Sequence, residues 1–267
     1  MAFAFGYPLV HVVRDSFYAG NFASPVWVGL DNYKEVISDP VFRQSLFNNL
    51  RLLLAVPVMV GLGLFIALLI NDRIRGGRHY QGIIFLPYVL PAAAIGIAFS
   101  FLLQENGALN TVLRGAHLGL FAQDWLGNSH LAIVSVGGLV VWQQLGFGVV
   151  VFTAALLSLP PETAEAARID GARWWSLQFR VIVPQIRPII VLLTVIQVIT
   201  VISWVFNYVY VLTAGGPGTM SETVSVYTYV QGFRQFESSY TAAIAFLVIA
   251  LLTVIVTWAI RRMGLAK

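Results

Sequence analysis

The chain has 267 residues, of which 58% are hydrophobic and only 10% are charged, and its mean hydropathy is +0.79. Soluble domains usually carry about 25% charged residues, so the composition excludes an ordinary cytosolic enzyme and predicts an integral membrane protein. Cysteine is absent, which excludes disulfides, thiolate metal sites and cysteine nucleophiles. The net charge of +4 is therefore relevant to membrane orientation and does not indicate nucleic-acid binding.

Membrane-spanning helices are predicted from stretches that lack Asp, Glu, Lys, Arg and His. About 20 residues are enough for a helix to cross a hydrocarbon layer of roughly 30 Å. Five stretches reach that length: Leu52–Asn71, Tyr80–Gln104, Leu131–Pro161, Pro188–Ser221 and Ser238–Ile260. The apolar start, Met1–Val13, is shorter, and we favour a first span whose upstream residues are missing over a half-helix.

The resulting prediction is an all-α membrane protein with six transmembrane helices in a single domain, 1–267. The expected spans are residues 1–14, 52–71, 80–104, 131–157, 188–213 and 240–260. Ten of the sixteen basic residues fall on one face, in three clusters that include Arg75, Arg168 and Lys267. By the positive-inside rule both termini are expected in the cytoplasm of a multi-pass cell-membrane protein.

Prolines lie within or at the start of several spans, at Pro57, Pro87, Pro91 and Pro188, and predict ordinary kinks. No carboxylate, histidine or arginine lies inside the five uncharged spans, although proton-coupled carriers and voltage sensors depend on such groups. No metal site is predicted. A sodium-coupled carrier that uses carbonyls and hydroxyls stays open as an alternative, as does a membrane scaffold without transport activity.

Uncharged polar residues do occur within the spans. Helical spacing places Gln197, Thr200, Trp204 and Tyr208 on one face with Asn207 beside it, and Gln143 and Gln144 lie in another span. Such residues can simply form hydrogen bonds between helices. Amides next to Trp and Tyr also suit the path of an uncharged polyhydroxy solute. We therefore take these seven residues as the candidate substrate path.

The segment 160–185 between two spans has the clearest pattern. Pro160 and Pro161 can open a helix, Ala164, Ala167 and Gly171 form a stripe of small residues, and Gly171 is expected to end the helix in a turn. The stripe predicts a surface that another protein approaches closely. The tryptophans in Ala172–Ile182 also fit an interfacial helix on lipid, which remains an alternative.

This segment resembles the EAA loop in permease subunits of ATP-binding-cassette (ABC) importers. The matching residues are Glu165, Ala166, Ala167, Asp170, Gly171 and Pro184, with Val181 and Val183 in place of the usual Ile and Leu. The run Gly215-Gly216-Pro217 followed by Ser221-Glu222-Thr223-Val224 is similar to carbohydrate-type permeases of the maltose and glycerol-3-phosphate group. Ser239 and Thr241 depart from the usual Gly and Ala of that group.

The resemblance implies a type I ABC importer permease fold and a division of labour between subunits. A second permease of similar fold would complete the path, two ATPase subunits would dock on the EAA loops of the two permeases, here the 160–185 loop, and an extracytoplasmic binding protein would deliver the solute. The chain itself would have no catalytic residues and no cofactor, because ATP and Mg²⁺ would bind the ATPase. A glycerol-3-phosphate or phosphodiester cargo is the main alternative to a sugar.

Overall fold

The computed structural model describes residues 2–19, 25–73 and 76–262. Met1, Arg75 and Lys267, which belong to the first predicted span and to the basic clusters, lie outside the described residues. The helices are α1 Ala2–Asp15, α2 Asp31–Ser38, α3 Pro40–Leu53, α4 Ala55–Arg73, α5 Gly77–Val89, α6 Ala92–Leu102, α7 Ala108–Gly115, α8 Leu131–Leu157, α9 Pro161–Ile169, α10 Trp174–Ser176, α11 Val183–Gln185, α12 Arg187–Ile199, α13 Phe206–Leu212, α14 Val224–Tyr229 and α15 Ser238–Arg262.

Shorter elements complete the described chain. The strands β1, Tyr18–Ala19, and β2, Val26–Trp27, pair antiparallel, a small addition to the predicted all-α fold. A 3₁₀ turn covers Gly119–Phe121. Segments with π-helical hydrogen bonding cover Leu177–Ile182, Thr200–Trp204 and Val230–Arg234.

Among the described residues, four helices are long and apolar enough to cross a membrane: Pro40–Asp72, Leu131–Leu157, Arg187–Trp204 and Ser238–Thr257. The first combines α3 and α4, so it begins at Pro40 and not at residue 52 as predicted. α3 and α4 meet at Leu54, where Pro57 has no N–H to donate to the carbonyl of Leu53. α1 has 14 residues and is not among these four helices, so the first span stays a prediction.

The predicted span 80–104 is not a continuous helix. His79–Val89 and Ala92–Leu102 are long and apolar enough to cross a membrane only when they are taken together. Their axes meet at an angle of 91°. Leu90 and Pro91 both have extended backbone conformations at the break. The prolines on either side of Leu90 thus produce a sharp bend instead of the ordinary kink expected from the sequence, because Pro91 cannot continue the hydrogen-bond pattern of α5.

The core forms where α4 and α8 pack closely. A Cβ built on Gly63 of α4 would lie 3.5 Å from the Cα of Gly148 in α8, so the two backbones approach across glycine. Around this contact Met59, Phe152 and Leu193 are almost completely buried and belong to one continuous apolar cluster. The pair α4 and α8 is the frame on which the bent helix and α12 are arranged.

A polar cap, defined as Asp39, Asn48, Asn49, Glu222 and Tyr227, joins the start of the Pro40–Asp72 helix to the loop before α14. Asn48 Nδ2 donates to the carbonyls of Met220 and Glu222, both at 2.9 Å, and Asn49 Oδ1 accepts from the N–H of Val224 at 2.9 Å. Asp39 Oδ1 accepts from the N–H of Val41 and caps α3, while Tyr227 donates to Asp39 Oδ2 at 2.7 Å.

Candidate functional site

The bend between α5 and α6 forms one wall of a cavity. Tyr88, just before the break, and Ala92, just after it, both line this cavity. The Tyr88 ring stacks on Phe147 of α8, with ring centres 5.1 Å apart and planes inclined by 17°. The two prolines around Leu90 therefore determine where an aromatic platform lies.

Helix α8 holds the bend in place. Gln143, which is 3% exposed, donates from Nε2 to the carbonyl of Leu90 at 2.8 Å. One turn further on, a Cβ on Gly146 would collide with the backbone of Ile84 and Phe85. Gln143 is thus not on the cavity lining where the sequence analysis placed it, because its amide is used at the break. Its neighbour Gln144 lines the cavity.

The opposite wall comes from the end of α12, the π-helical segment after it, and α13. Thr200, Trp204, Asn207 and Tyr208 all line the cavity, as the predicted common face requires. Gln197 does not, and it is 1% exposed in the interior. The prediction that Gln197 shares this face is wrong because of the π-helical segment. A π-helical turn holds more residues than an α-helical turn and so shifts the register between residue 197 and residue 204.

The resulting cavity has a volume of about 240 Å³ and none of its lining residues carries a charge. The lining residues are Tyr88, Ala92, Gln144, Phe147, Ile196, Thr200, Trp204, Asn207 and Tyr208. Amide and hydroxyl groups can bind a polar neutral molecule, and aromatic rings can cover its less polar faces. The sequence analysis missed Tyr88 and Phe147; the Pro87 and Pro91 pair was the available signal for Tyr88.

The segment 160–185 begins as predicted. α9 starts at Pro161 within the first turn, with Glu162 next to it. Gly171 has a φ of +78° and comes directly after Asp170, the residue that caps the end of α9. Its N–H donates to the carbonyl of Arg168, and the N–H of Ala172 donates to that of Ala167, both at 3.0 Å. This is a Schellman turn, and the predicted glycine stop is confirmed.

The small-residue stripe is oriented differently from the prediction. Ala164 and Ala167 are half-buried and pack against the apolar core of the chain itself. Glu165, Ala166 and Asp170 are exposed, and Ile169 is 86% exposed. The exposed side of α9 is therefore the one bearing Ile169, which the sequence analysis did not single out.

The rest of the segment combines core and surface residues. Trp174 packs against the apolar core, whereas Trp175 is exposed and stacks on Phe179 with ring centres 5.6 Å apart. Pro184 is exposed at the second position of α11. The turn at Gly171 separates this aromatic stretch from α9, so the segment presents two distinct surfaces.

An ion pair joins α9 to the end of α4. Arg168 Nη2 lies 2.6 Å from Asp72 Oδ1, and a second cavity of about 380 Å³ lies between these elements. Its lining residues are Asn71, Asp72, Leu156, Leu157, Leu159, Pro160, Pro161, Ala164, Glu165, Arg168, Leu177, Gln178 and Ile182. In the part of the chain that the structure describes, no group of three or more His, Asp or Glu side chains could hold a metal ion.

A helical membrane frame, an uncharged cavity beside a broken helix and an exposed short helix between two spans define a transport permease. Residues 59–264 match the family of binding-protein-dependent transport system inner membrane components, and the chain belongs to this family. It is the permease component of an ABC importer in the inner membrane and is not an enzyme. A self-contained sodium-coupled carrier and a scaffold without a transport role are excluded by this membership.

Similar proteins agree with this assignment. The probable ABC transporter permease protein YurN of Bacillus subtilis is 34% identical over 84% of this chain and 77% of its own length. The alpha-glucoside transport system permease protein AglF of Rhizobium meliloti is 34% identical over 88% of this chain and 71% of its own. A chain of a bacterial alginate ABC transporter, solved in complex with an alginate pentasaccharide-bound periplasmic protein, has the same fold, with a TM-score of 0.84 and 24% identity over 97% of this chain and 89% of its own.

Proposed function

We propose that the chain forms half of the path by which an ATP-driven importer carries a sugar or sugar-like solute across the membrane. The observation that carries this proposal is the uncharged, aromatic-lined cavity between the bent helix and α13. Similarity to a permease named for alpha-glucosides supports the same class of solute.

The chemistry of the lining favours a neutral polyhydroxy solute over an anion. Gln144 and Asn207 supply amide donors and acceptors, Tyr208 supplies a hydroxyl, and Tyr88 and Trp204 supply rings. A phosphate-bearing solute in such a cavity would lack a compensating cation, and an uncompensated buried charge is costly. Glycerol-3-phosphate and phosphodiesters are therefore the less favoured cargo.

The cavity is smaller than the roughly 300–1,000 Å³ of typical small-molecule sites, as expected if a second permease of similar fold supplies the remaining wall. In this proposal one of two ATPase subunits docks on the exposed side of α9, the other docks on the second permease, and the ATPase subunits hold ATP and Mg²⁺. An extracytoplasmic binding protein delivers the solute on the opposite face. Both termini, and with them segment 160–185, lie in the cytoplasm.

Uptake assays on cavity variants test the solute path. Trp204→Ala and Asn207→Leu should reduce uptake of a radiolabelled sugar at least several-fold, with normal membrane abundance, because each removes a group that contacts the solute. Trp142→Ala is the matched control, since Trp142 is an exposed aromatic residue of α8 outside the cavity. Normal uptake in both cavity variants would place the path elsewhere.

A substitution at Gly171 tests ATPase docking. Gly171→Asp forces a side chain into a positive-φ turn and adds a carboxylate next to Asp170. We expect normal membrane abundance, lost uptake and weakened co-purification of the ATPase subunits. Gly171→Asn is the control, because Asn tolerates this conformation better and adds no charge. Full uptake by the Gly171→Asp variant would contradict docking on this segment.

A further inference from the structure

Helix α9 packs incompletely against the rest of the chain. None of its nine residues is fully buried, although Ala164 and Ala167 touch the core. The cavity of about 380 Å³ separates parts of α9 from the ends of α4 and α8. This cavity is a cleft partly open to solvent, so α9 does not pack closely against those helix ends along its whole length.

The ion pair between Arg168 and Asp72 bridges this loosely packed region. Their charged atoms are 2.6 Å apart although the residues are 96 positions apart in the sequence. The Asp72 side chain is only 16% exposed, whereas that of Arg168 is 53% exposed. The other ion pair among the described residues, Lys34 with Asp31, is exposed and joins residues within one helical turn.

Within the described part of α4, nothing favours an acidic residue at position 72. Asp72 lies in the last turn of α4, which ends at Arg73, and the negative end of a helix dipole disfavours a carboxylate there. A carboxylate with limited access to water also needs a compensating group. Among the described residues, Arg168 supplies that group from α9.

We propose that Asp72 and Arg168 are a positioning pair that transmits movement of α9 to α4 during transport. The proposal rests on the proposed function, because movement of α9 requires an ATPase docked on it. A partly exposed ion pair contributes little to stability. Its role is to make α9 and the 33-residue Pro40–Asp72 helix move together.

Variants in the complete transporter test the pair. Asp72→Asn and Arg168→Gln should each lower uptake at least tenfold, with normal membrane abundance and normal co-purification of the ATPase. The charge exchange Asp72→Arg with Arg168→Asp should recover at least a third of the wild-type uptake. Lys34→Gln, which removes the other ion pair, is the matched control and should transport normally.

Chemical restoration of the charge provides a second measurement. Since the chain contains no cysteine, Arg168→Cys introduces the only thiol of this subunit. A positively charged methanethiosulfonate reagent should raise the uptake of this variant in membrane vesicles, and a negatively charged reagent of similar size should not. Equal effects of both reagents would contradict an electrostatic role.

Other outcomes would also contradict the proposed role of Asp72 and Arg168. Wild-type uptake by both single variants would show that the contact is dispensable. If only Arg168→Gln loses uptake and the ATPase no longer co-purifies, Arg168 contacts the ATPase directly and the pair is not the link. Loss of uptake in Gly171→Asp together with normal uptake in Asp72→Asn would reject this inference and leave the proposed function intact. Full uptake in Gly171→Asp would reject ATPase docking itself.

Discussion

The Pro40–Asp72 helix meets the rest of the chain differently at its two ends. At its start, the polar cap connects it to the loop before α14 through several buried hydrogen bonds, and Asn48 is completely inaccessible to solvent. At its end, Asp72 reaches α9 by one ion pair next to a cavity. Several hydrogen bonds to buried groups resist relative movement together, whereas a single partly exposed ion pair beside a cavity resists it less.

The two ends of the Pro40–Asp72 helix therefore have different roles. The polar cap anchors the start of the helix, and the ion pair couples its end to α9. The cap holds the helix to the loop through backbone carbonyls, so relative movement there would break several bonds at once. The α9 end is held by the half-buried contacts of Ala164 and Ala167 and by one ion pair, so movement there breaks fewer bonds. A helix that is held at one end and displaced at the other rotates about its fixed end. Each end can be tested separately.

The largest effect is expected from breaking the cap. Asn48→Leu removes both donors that reach the carbonyls of Met220 and Glu222, and each buried unpaired group costs about 1–3 kcal/mol. We expect a clear loss of membrane abundance and a lower unfolding temperature in detergent. Arg43→Gln, on the exposed side of α3, is the control. Wild-type stability of Asn48→Leu would show that the cap does not anchor the helix.

A second prediction concerns the exposed surface of the coupling end. Ile169→Asp puts a charge on a side chain that is 86% exposed, so folding should be unaffected. If this surface packs against an ATPase, uptake and ATPase co-purification should fall at least tenfold. Leu120→Asp is the control, since Leu120 is 92% exposed and lies outside segment 160–185. Equal uptake by the two variants would remove Ile169 from the docking surface.

The smallest effect is expected at Glu222. Burial, followed by the negative charge of Asp39, raises the pKa of Glu222 above its ordinary value. Burial also acts to raise the pKa of Asp39, but hydrogen bonds from Tyr227 and from the N–H groups of Val41 and Phe42 hold this pKa below its ordinary value.

The sign of the effect follows from the raised pKa. The folded state binds the Glu222 proton more tightly than the unfolded state, so stability falls as pH rises from the ordinary glutamate pKa through the folded one. Glu222→Gln removes this loss. We expect its unfolding temperature at pH 7 to rise by about 2–4 °C for each kcal/mol regained, with little difference from wild type near pH 4. Identical pH profiles would show that Glu222 is not destabilising.

The sequence predicted features that depend on neighbouring residues. The glycine stop at Gly171 was correct because turn chemistry is local, and the apolar stretches were found because a bilayer requires them. Predictions failed where tertiary packing determines which side of a helix is exposed. The π-helical segment removed Gln197 from the predicted face, and docking of α9 turned Ala164 and Ala167 inward.

Contacts between residues far apart in the sequence could not be predicted either. The pair of Asp72 and Arg168 joins residues 96 apart, and no spacing rule relates them. Likewise, Pro87 and Pro91 indicated a kink, but the angle of 91° depends on a donor from α8. The cavity residues Thr200, Trp204, Asn207 and Tyr208 were identified from pattern, while the aromatic wall opposite them required the bend.

The bend at Leu90 has a consequence for the order in which the chain matures in the membrane. The carbonyl of Leu90 receives its hydrogen bond from Gln143, which is synthesised 53 residues later. Until then the unpaired carbonyl is costly in lipid, and a straighter helix over both halves is long enough to cross the bilayer. We therefore expect the two halves to insert first as a straighter helix and to adopt the bent form only once α8 is in the membrane.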